Sequence, residues 1–280
     1  RKFFTELAKQ LANRGVTDLL RKGFRFISEL FDLYYPLPSE LNPTAQEMYK
    51  KNIFCVVKEL AYSKENDNRI DLMVSLNGLP LITMELKNHY TGQTVENAVK
   101  QYQTDRDPKD PLLAPKRCAV HFAVDDDDIK MCTWLCGKGS WFLPFNKGLN
   151  GGAGNPVNPK GVRTAYLWEE ILAKESLSDI IENYAQVVKK KDEKTGTEKI
   201  SVVWPRYHQL DCVRRLLAET QQKGVGQKFL IQHSAGSGKS NSITWLAYQL
   251  VGLLDGTQAL LDSVIVVTDR VNLDTQIKNK

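Results

Sequence analysis

The order of secondary-structure patterns in the first half of the chain constrains the fold most strongly. Residues 52–63, 69–76 and 79–87 are rich in Val, Ile and other apolar side chains, and turn-forming residues separate them. Residues 94–103 then place apolar side chains at helical spacing, and residues 118–125 return to a strand pattern. The order strand, strand, strand, helix, strand predicts an α/β fold with a mixed sheet flanked by helices.

The segments around this sheet carry weaker signals. Apolar residues at helical spacing predict helices over residues 3–13 and 18–33, and residues 164–188 are typical of one or two helices. We expect residues 131–146 to form a further hairpin. The Gly- and Asn-rich residues 148–159 are expected to be a mobile or ligand-contacting loop.

A charged run divides the chain into two predicted domains. Residues 189–199 contain no apolar anchor, which favours a solvated linker or loop between a domain at residues 1–188 and a second domain at residues 200–280. In the second domain, apolar segments at residues 228–234 and 263–269 flank a Gly-rich turn and a helix. This alternation predicts the start of a parallel, doubly wound α/β sheet.

The overall composition fits a globular protein and constrains its partners only weakly. The net charge of +5 fits a polyanionic partner but is common among proteins that bind none. The five cysteines show no paired spacing, so they indicate neither a disulfide framework nor a zinc site. No apolar run approaches the roughly 20 residues that a membrane span requires, and we expect a cytoplasmic protein. Because the chain starts without Met, we expect it to be part of a longer protein.

A Gly-rich turn between an apolar segment and a helix predicts a phosphate-binding loop. Its residues are Gly236, Ser237, Gly238, Lys239 and Ser240. Glycines let backbone N–H groups converge on phosphate oxygens, so Lys239 would contact the β and γ phosphates of ATP and Ser240 would bind Mg²⁺. His233 stands where the strict motif has its first glycine, a departure typical of helicase-like motors of the second superfamily. An ordinary turn at a helix start is the alternative.

Two neighbouring segments are consistent with such a motor. Gln209 resembles the glutamine that contacts adenine in these motors, although a polar helix start explains it equally well. Asp269 and Arg270 resemble the next motif, where a turn approaches DNA, and solvated loop charges are the alternative. The acidic pair that these motors need for hydrolysis does not follow within this sequence. We therefore expect the chain to bind nucleotide without hydrolysing it competently.

The second and third predicted strands carry a candidate nuclease centre. On an extended strand, Glu85 and Lys87 project to the same face. A turn at Gly78 joins their strand to the one that carries Asp71, and a two-residue turn would put Asp71 on the opposite face. We therefore predict a three-residue turn, or an equivalent bulge, that sets Glu85 across from Arg69 and diagonal to Asp71.

These residues have the chemistry of a metal-dependent nuclease. The Asp71 and Glu85 carboxylates would hold Mg²⁺ through hard oxygen ligands, with the Leu86 carbonyl as a third ligand. The cation would polarise a phosphate and activate water, while Lys87 orients that water or stabilises negative charge. Gln101 and Tyr102, on the exposed face of the following helix, are expected to reach DNA or the metal-bound water. A hairpin that merely exposes charged side chains is the alternative.

Together the motifs resemble the restriction (motor) subunit of type I restriction-modification enzymes. The segments that carry the resemblance are residues 69–88, 94–106, 142–148 and 233–240. The order D-x13-E-x-K is similar to the PD-(D/E)xK nuclease pattern, although Ile70 replaces its proline. The resemblance implies a PD-(D/E)xK-type nuclease domain followed by the start of a RecA-like motor domain.

The resemblance also implies roles for individual residues. Asp71, Glu85 and Lys87 would form the cleavage centre of the family. The family's Q-x-x-x-Y helix would begin at Gln101, but here Asp105 occupies the tyrosine position and Tyr102 adjoins the glutamine. The sequence therefore favours a role for Gln101 over one for Tyr102.

The family further implies a particular assembly and activity. The enzyme would use ATP and Mg²⁺ to translocate and cut double-stranded DNA, in complex with a modification (methyltransferase) subunit and a specificity subunit. The alternatives are a DNA-repair or defence helicase–nuclease that acts without a methyltransferase partner, and a catalytically inactive DNA-binding protein. A nucleotide-binding protein without a DNA function would leave the acidic hairpin unexplained.

Overall fold

Two compact units make up the chain, Arg1–Trp204 and Pro205–Lys280. The computed structural model describes residues 1–38, 42–63, 65–191, 196 and 198–268. No helix within these described ranges is long and apolar enough to cross a membrane.

Helices and strands alternate along the first unit. In chain order they are α1 (Lys2–Arg14), α2 (Val16–Lys22), β1 (Phe24–Phe26), β2 (Glu29–Phe31), α3 (Pro43–Lys50), β3 (Phe54–Ala61), β4 (Arg69–Leu76), β5 (Leu79–Leu86), α4 (Val95–Thr104), β6 (Val120–Val124), β7 (Ile129–Cys132), β8 (Leu143–Pro144), α5 (Lys174–Asp179), β9 (Gln186–Lys191) and β10 (Glu198–Val203). A 3-10 turn occupies His89–Thr91, and π-helical turns at Leu167–Ile171 and Ile180–Tyr184 lie on either side of α5.

A six-stranded sheet in the order β3-β4-β5-β6-β7-β8 forms the centre of this unit. Its neighbouring strands are antiparallel except β5 and β6, which run parallel because α4 connects them as a crossover. Val95, Ala98 and Val99 of α4 pack against Ala123 of β6. The predicted mixed sheet and its strand order are therefore confirmed.

The turn between β4 and β5 has two residues, so the predicted three-residue turn is wrong. Asn77 and Gly78 both have left-handed backbones, with φ of 51° and 79°, and Leu76 pairs with Leu79. Asparagine and glycine adopt this conformation at the lowest cost, which makes them the usual pair in such a turn. The Asn77 side chain also accepts a hydrogen bond from the Ile53 backbone N–H (2.7 Å).

A bulge in β5 supplies the change of register that the turn does not. Ser75 pairs with Pro80 whereas Val74 pairs with Ile82, so Leu81 is an extra residue in β5. Pro80 has no N–H to donate to the ladder, and a bulge is one of the places where a sheet tolerates proline. The predicted equivalent bulge is therefore confirmed.

Residues 18–33 form a short helix and a hairpin, not the single helix that their apolar spacing predicts. Gly23 ends α2 with a φ of 57°, and a Cβ at this position would lie 2.3 Å from the Phe31 carbonyl oxygen. Strands β1 and β2 then pair, and the ring of Phe3 packs on those of Phe24 and Phe31 at centroid distances of 5.3 and 5.1 Å. Helical spacing cannot reveal this interruption because a hairpin of aromatic residues carries similar apolar positions.

The two ends of the charged segment at residues 189–199 belong to a hairpin, and residues 192–195 and 197 lie outside the described residues. Strands β9 and β10 are antiparallel, with Val187 opposite Val202 and Lys189 opposite Ile200. The division between the units falls at Trp204 instead. Consecutive lysines at the end of a strand have the same composition as a linker, so the sequence does not reveal that β9 extends to Lys191.

The structure also bears on the predicted hairpin at residues 131–146 and on the predicted loop at residues 148–159. The predicted hairpin at residues 131–146 is confirmed, since β7 pairs with β8 and Met131 lies opposite Leu143. The predicted loop at residues 148–159 is tied to the unit by Asn155, which is almost fully buried. The Asn155 amide donates to the Asp127 carbonyl oxygen (2.7 Å) and accepts from the Lys147 N–H (2.8 Å).

The second unit contains α6 (Tyr207–Lys223), α7 (Lys239–Val251) and the short paired strands β11 (Leu254–Asp255) and β12 (Gln258–Ala259). Residues 228–234 and the described part of 263–269 form no strand, so the predicted parallel sheet is not seen in the described part of this unit. Leu230 is 95% exposed and Val267 is 88% exposed. An apolar run indicates burial on two faces, but the distant strand that would pair with it cannot be inferred from the run. Asp269 and Arg270 lie outside the described residues.

Candidate functional site

The bulge brings the two predicted metal-binding carboxylates to facing positions on neighbouring strands. Leu72 pairs with Met84, and continuing this register by one residue places Asp71 directly opposite Glu85. The sequence predicted that Glu85 lies opposite Arg69 and diagonal to Asp71, and the observed register differs from this by two residues. Lys87 lies close by, with its Nζ 4.0 Å from Asp71 Oδ2. The three side chains of the predicted cleavage centre therefore converge.

Asp71 is held by the backbone of the neighbouring strand. Its Oδ2 accepts a hydrogen bond from the Leu86 N–H at 2.6 Å. The side chain is 26% exposed and that of Lys87 is 12% exposed, so this carboxylate is open to solvent or to a ligand. The Leu86 peptide thus orients Asp71 through its N–H, whereas the sequence suggested a role for its carbonyl.

Glu85 is a completely buried carboxylate with one partner. Its Oε1 accepts a hydrogen bond from Arg106 Nε at 2.6 Å, and the residue has 0% exposure. Its Oε2 is also buried and has no hydrogen-bond partner in the described part of the chain. Burial raises the pKa of Glu85 to about 7, with Asp71 raising it further and Arg106 and Lys87 opposing the rise. A partnerless buried oxygen is well placed to accept a cation or a proton.

Arg106 is a site residue that the sequence reasoning missed. It follows the end of α4, is 6% exposed, and also donates through a terminal nitrogen to the Arg69 carbonyl oxygen at 2.7 Å. Its guanidinium therefore connects Glu85 on β5 to the backbone of β4. The only signal in the sequence was an arginine just beyond a predicted helix, which is more often a solvated residue.

The α4 helix presents Tyr102, and not Gln101, to the sheet beneath the carboxylates. Tyr102 is completely buried, and its hydroxyl lies 2.8 Å from the hydroxyl of Thr83. His121 Nδ1 lies 2.7 Å from the same Thr83 oxygen. Gln101 is half-buried, and its side chain has no hydrogen-bond partner among the residues that the structure describes. The greater weight that the sequence gave to Gln101 than to Tyr102 is not reflected in these contacts.

The carboxylates fit a hard divalent cation but do not form a complete protein cage. Within the described ranges, no group of three or more His, Cys, Asp or Glu side chains is placed to hold a metal. Asp71 and Glu85 would therefore supply two oxygen ligands, and water and substrate oxygens would supply the rest. Mg²⁺ is typically bound in this way, through one or two carboxylates. The partnerless Oε2 of Glu85 is the observation that favours a cation here.

In the second unit, the predicted phosphate-binding residues form a turn at the start of α7. Gly236 and Gly238 have left-handed backbones, with φ of 74° and 83°, and α7 begins at Lys239 with Ser240 in its first turn. Lys239 Nζ folds back onto the carbonyl oxygens of His233 (3.1 Å) and Ser234 (2.9 Å). The buried Ser237 hydroxyl has no partner in the described residues. This turn can accept an anion if Lys239 exchanges its carbonyl contacts for phosphate.

Gln209 supports this turn directly. Its Nε2 donates to the Gly238 carbonyl oxygen and its Oε1 accepts from the Arg206 N–H, both at 2.9 Å. The oxygen and the nitrogen of the Gln209 amide both make hydrogen bonds within the protein. The predicted contact with adenine would therefore require a different side-chain conformation. The neighbouring His208 adds a second link, since its Nε2 lies 3.1 Å from the Ser237 carbonyl oxygen.

A known protein family matches part of each of the two units. Residues 2–137 match the family described as type I restriction enzyme R protein N terminus, and residues 208–280 match the SWI2/SNF2 ATPase family. The chain is 28% identical over 247 residues to the putative type I restriction enzyme MjaVIIIP endonuclease subunit of Methanocaldococcus jannaschii. It is 25% identical over 242 residues to the type I restriction enzyme HindI endonuclease subunit of Haemophilus influenzae. Each alignment covers 82% of this chain and 21% of the relative.

The chain is thus similar to proteins named as restriction endonuclease subunits. More specifically, residues 2–137 match the N-terminal region of type I restriction enzyme R proteins. The predicted resemblance is therefore confirmed. The chain spans about a fifth of the length of the curated relatives that it matches.

Proposed function

We propose that the first unit is a PD-(D/E)xK-type, Mg²⁺-dependent nuclease that hydrolyses phosphodiester bonds in double-stranded DNA. The facing positions of Asp71 and Glu85 on β4 and β5, with Lys87 beside them, carry this proposal. Two acidic side chains on neighbouring strands present hard oxygens to one space. The relatives named as endonuclease subunits support the same reaction class.

The residues of this chain would divide the chemistry among them. Mg²⁺ bound at Asp71 and Glu85 would supply Lewis-acid activation of the phosphate and of a water molecule. The Leu86 N–H holds the Asp71 carboxylate in place, and burial keeps water away from Glu85. Lys87 places a positive charge within 4.0 Å of Asp71, where it can orient a water molecule or stabilise negative charge that develops on the phosphate.

The second unit would contribute the ATP site of a RecA-like motor of the helicase type. Lys239 and Ser240 would contact the nucleotide phosphates and Mg²⁺, and Gln209 would keep the turn in shape through Gly238. The match to SWI2/SNF2 ATPases supports this assignment. In the complete protein, ATP hydrolysis would drive DNA translocation toward cleavage, in complex with a modification (methyltransferase) subunit and a specificity subunit.

Two variants of the complete, assembled enzyme separate the proposed activities. Glu85→Ala should retain DNA-stimulated ATP hydrolysis and lose DNA cleavage, because it removes a metal ligand without touching the motor. Lys239→Ala should lose both activities, because cleavage depends on translocation. Glu96→Ala, which removes an exposed glutamate paired with Lys130, is the matched control and should retain both.

Each outcome that departs from this pattern identifies the part of the proposal that fails. Cleavage by Glu85→Ala at the wild-type rate would remove the nuclease assignment. Cleavage that persists in Lys239→Ala would remove the coupling to the motor and favour a nuclease that acts alone. Wild-type cleavage without the methyltransferase subunit would favour the alternative helicase–nuclease.

A further inference from the structure

Helix α4 and the turn that follows it dock on β5 through two polar contacts. Tyr102 reaches Thr83 at 2.8 Å, and Arg106 reaches Glu85 at 2.6 Å. Thr83 and Glu85 are two residues apart on β5, so their side chains lie on the same face of the sheet. Asp105, between them, keeps a helical backbone with φ of −109° and ψ of −5°. The packing of α4 on β5 therefore also brings Arg106 next to Glu85.

The Arg106 guanidinium fixes the orientation of the Glu85 carboxylate. Its Nε donates to Glu85 Oε1, and its terminal nitrogen donates to the Arg69 carbonyl oxygen at 2.7 Å. These donors lie in one rigid plane, so the carboxylate is held at a set angle between β4 and β5. Oε1 therefore has a protein partner, whereas Oε2 has none among the residues that the structure describes.

We propose that Arg106 is the positioning residue of this site, which holds Glu85 so that Oε2 alone is presented to the divalent cation. The inference rests on the proposed nuclease function and assigns a fourth member to the site. A lysine at position 106 could neutralise Glu85 but could not span Oε1 and the Arg69 carbonyl with the same planar geometry. The effect of a positive charge at position 106 can therefore be separated experimentally from the effect of orienting the Glu85 carboxylate.

A matched control exists elsewhere in the same unit. The Arg14 guanidinium makes the same kind of bridge, since Nε donates to Asp18 Oδ2 at 2.7 Å and Nη1 donates to the Gly23 carbonyl oxygen at 2.9 Å. Arg14→Lys therefore repeats the chemical change of Arg106→Lys at a pair outside the proposed site. A second control, Tyr102→Phe, removes the hydroxyl of the other α4 contact and leaves Arg106 in place.

The test is a titration of the complete, nucleotide-free protein with Mn²⁺, with free Mn²⁺ measured by electron paramagnetic resonance. Outer residues that orient a metal ligand typically contribute about 10- to 100-fold in metal affinity. We expect Arg106→Lys and Arg106→Ala to weaken Mn²⁺ binding by about this factor. Arg14→Lys and Tyr102→Phe should bind Mn²⁺ as the wild type does. Circular dichroism at the titration temperature shows which variants are folded, and Arg106→Lys carries the test if Arg106→Ala is not.

The outcomes distinguish this inference from the proposed function. If Asp71→Ala binds Mn²⁺ like the wild type, there is no nuclease metal site and the proposed function fails. If Asp71→Ala loses the ion while Arg106→Lys binds it as tightly as the wild type, or more tightly, only the role of Arg106 is overturned. Equal weakening by Tyr102→Phe and Arg106→Lys would also overturn it, because the effect would then come from the general packing of α4.

Discussion

The two candidate sites of this chain are built in opposite ways. The phosphate-binding turn of the second unit consists of consecutive residues, and its lysine is exposed and held by backbone carbonyl groups. The nuclease centre of the first unit combines residues from two strands and from the end of α4, and its glutamate is completely buried. One site depends on local backbone conformation, whereas the other depends on the packing of distant segments.

This difference determines how each site should respond to mutation. A buried charge that loses its partner destabilises the fold, because desolvation is no longer offset. An exposed charge on a turn can be removed with little effect on folding, because water replaces its contacts. Substitutions in the nuclease centre should therefore change stability and activity together, and substitutions in the turn should change mainly ligand binding.

The largest expected effect is a loss of stability when Glu85 is replaced. Glu85→Ala leaves Arg106 buried without a counter-charge, and breaking a buried pair in this way costs about 3–5 kcal/mol. Urea unfolding of the first unit, followed by circular dichroism, should show a loss of this size. Lys239→Ala should leave the unfolding transitions of both units nearly unchanged.

Glu96→Ala is the surface control for this prediction. Glu96 pairs with Lys130 but its side chain is 65% exposed, and exposed pairs contribute about 0–1 kcal/mol. If Glu85→Ala and Glu96→Ala destabilise the unit equally, the Glu85–Arg106 pair does not behave as a buried pair and the contrast between the two sites is lost.

The next effect is a dependence of the stability of the first unit on pH. Burial lowers the pKa of His121 to about 3 from its ordinary value of 6.5, and its imidazole contacts Thr83 below the nuclease centre. A lowered histidine pKa means that the unfolded chain binds the proton more readily than the folded one. The stability contribution of His121 is therefore complete above pH 6.5 and is lost as the pH falls toward 3.

At pH 5 this loss amounts to about 2 kcal/mol relative to neutral pH. Urea unfolding of wild type and His121→Gln at pH 7 and pH 5 measures it, because glutamine can keep a hydrogen bond to Thr83 but does not titrate. The variant should lose less stability between the two pH values than the wild type does. An identical loss in both proteins would mean that His121 is not a buried neutral imidazole.

The smallest expected effect concerns Gln209, a buried residue that supports the phosphate-binding turn. Gln209→Ala removes the bonds to Gly238 and Arg206, and a net loss of about 1.4 kcal/mol corresponds to about tenfold weaker nucleotide binding. Binding of a fluorescent ATP analogue measures this change. Gln221→Ala is the control, since Gln221 lies on the same helix and donates to the Leu254 carbonyl oxygen instead. Equal effects of the two variants would contradict a specific role for Gln209.

The sequence predicted well what depends on neighbouring residues. The phosphate-binding turn is contiguous, and the strand order around α4 follows from periodicity and turn residues. The need for an odd register in the β4–β5 hairpin followed from the requirement that Asp71 and Glu85 share a face. The sequence could also have located the bulge, because Pro80 is the residue in β5 that cannot donate to the ladder.

The sequence did not predict contacts between distant segments. Nothing local indicates that Arg106 is buried against Glu85, 21 residues away, or that Tyr102 meets Thr83. The charges at residues 189–199 looked like a linker because strand pairing with a partner segment leaves no compositional signal. For the same reason, the apolar runs of the second unit were expected to form a sheet that its described residues do not contain.

The most direct test of the central claim is the position of a bound metal ion. Crystals of the complete protein with a DNA duplex and Mn²⁺ would be measured at a wavelength where manganese scatters anomalously. We predict an anomalous peak within about 2.5 Å of a carboxylate oxygen of both Asp71 and Glu85, with Oε2 as the Glu85 ligand. A fully occupied Mn²⁺ elsewhere near the DNA, with these two carboxylates uncoordinated, would contradict the nuclease site described for this chain.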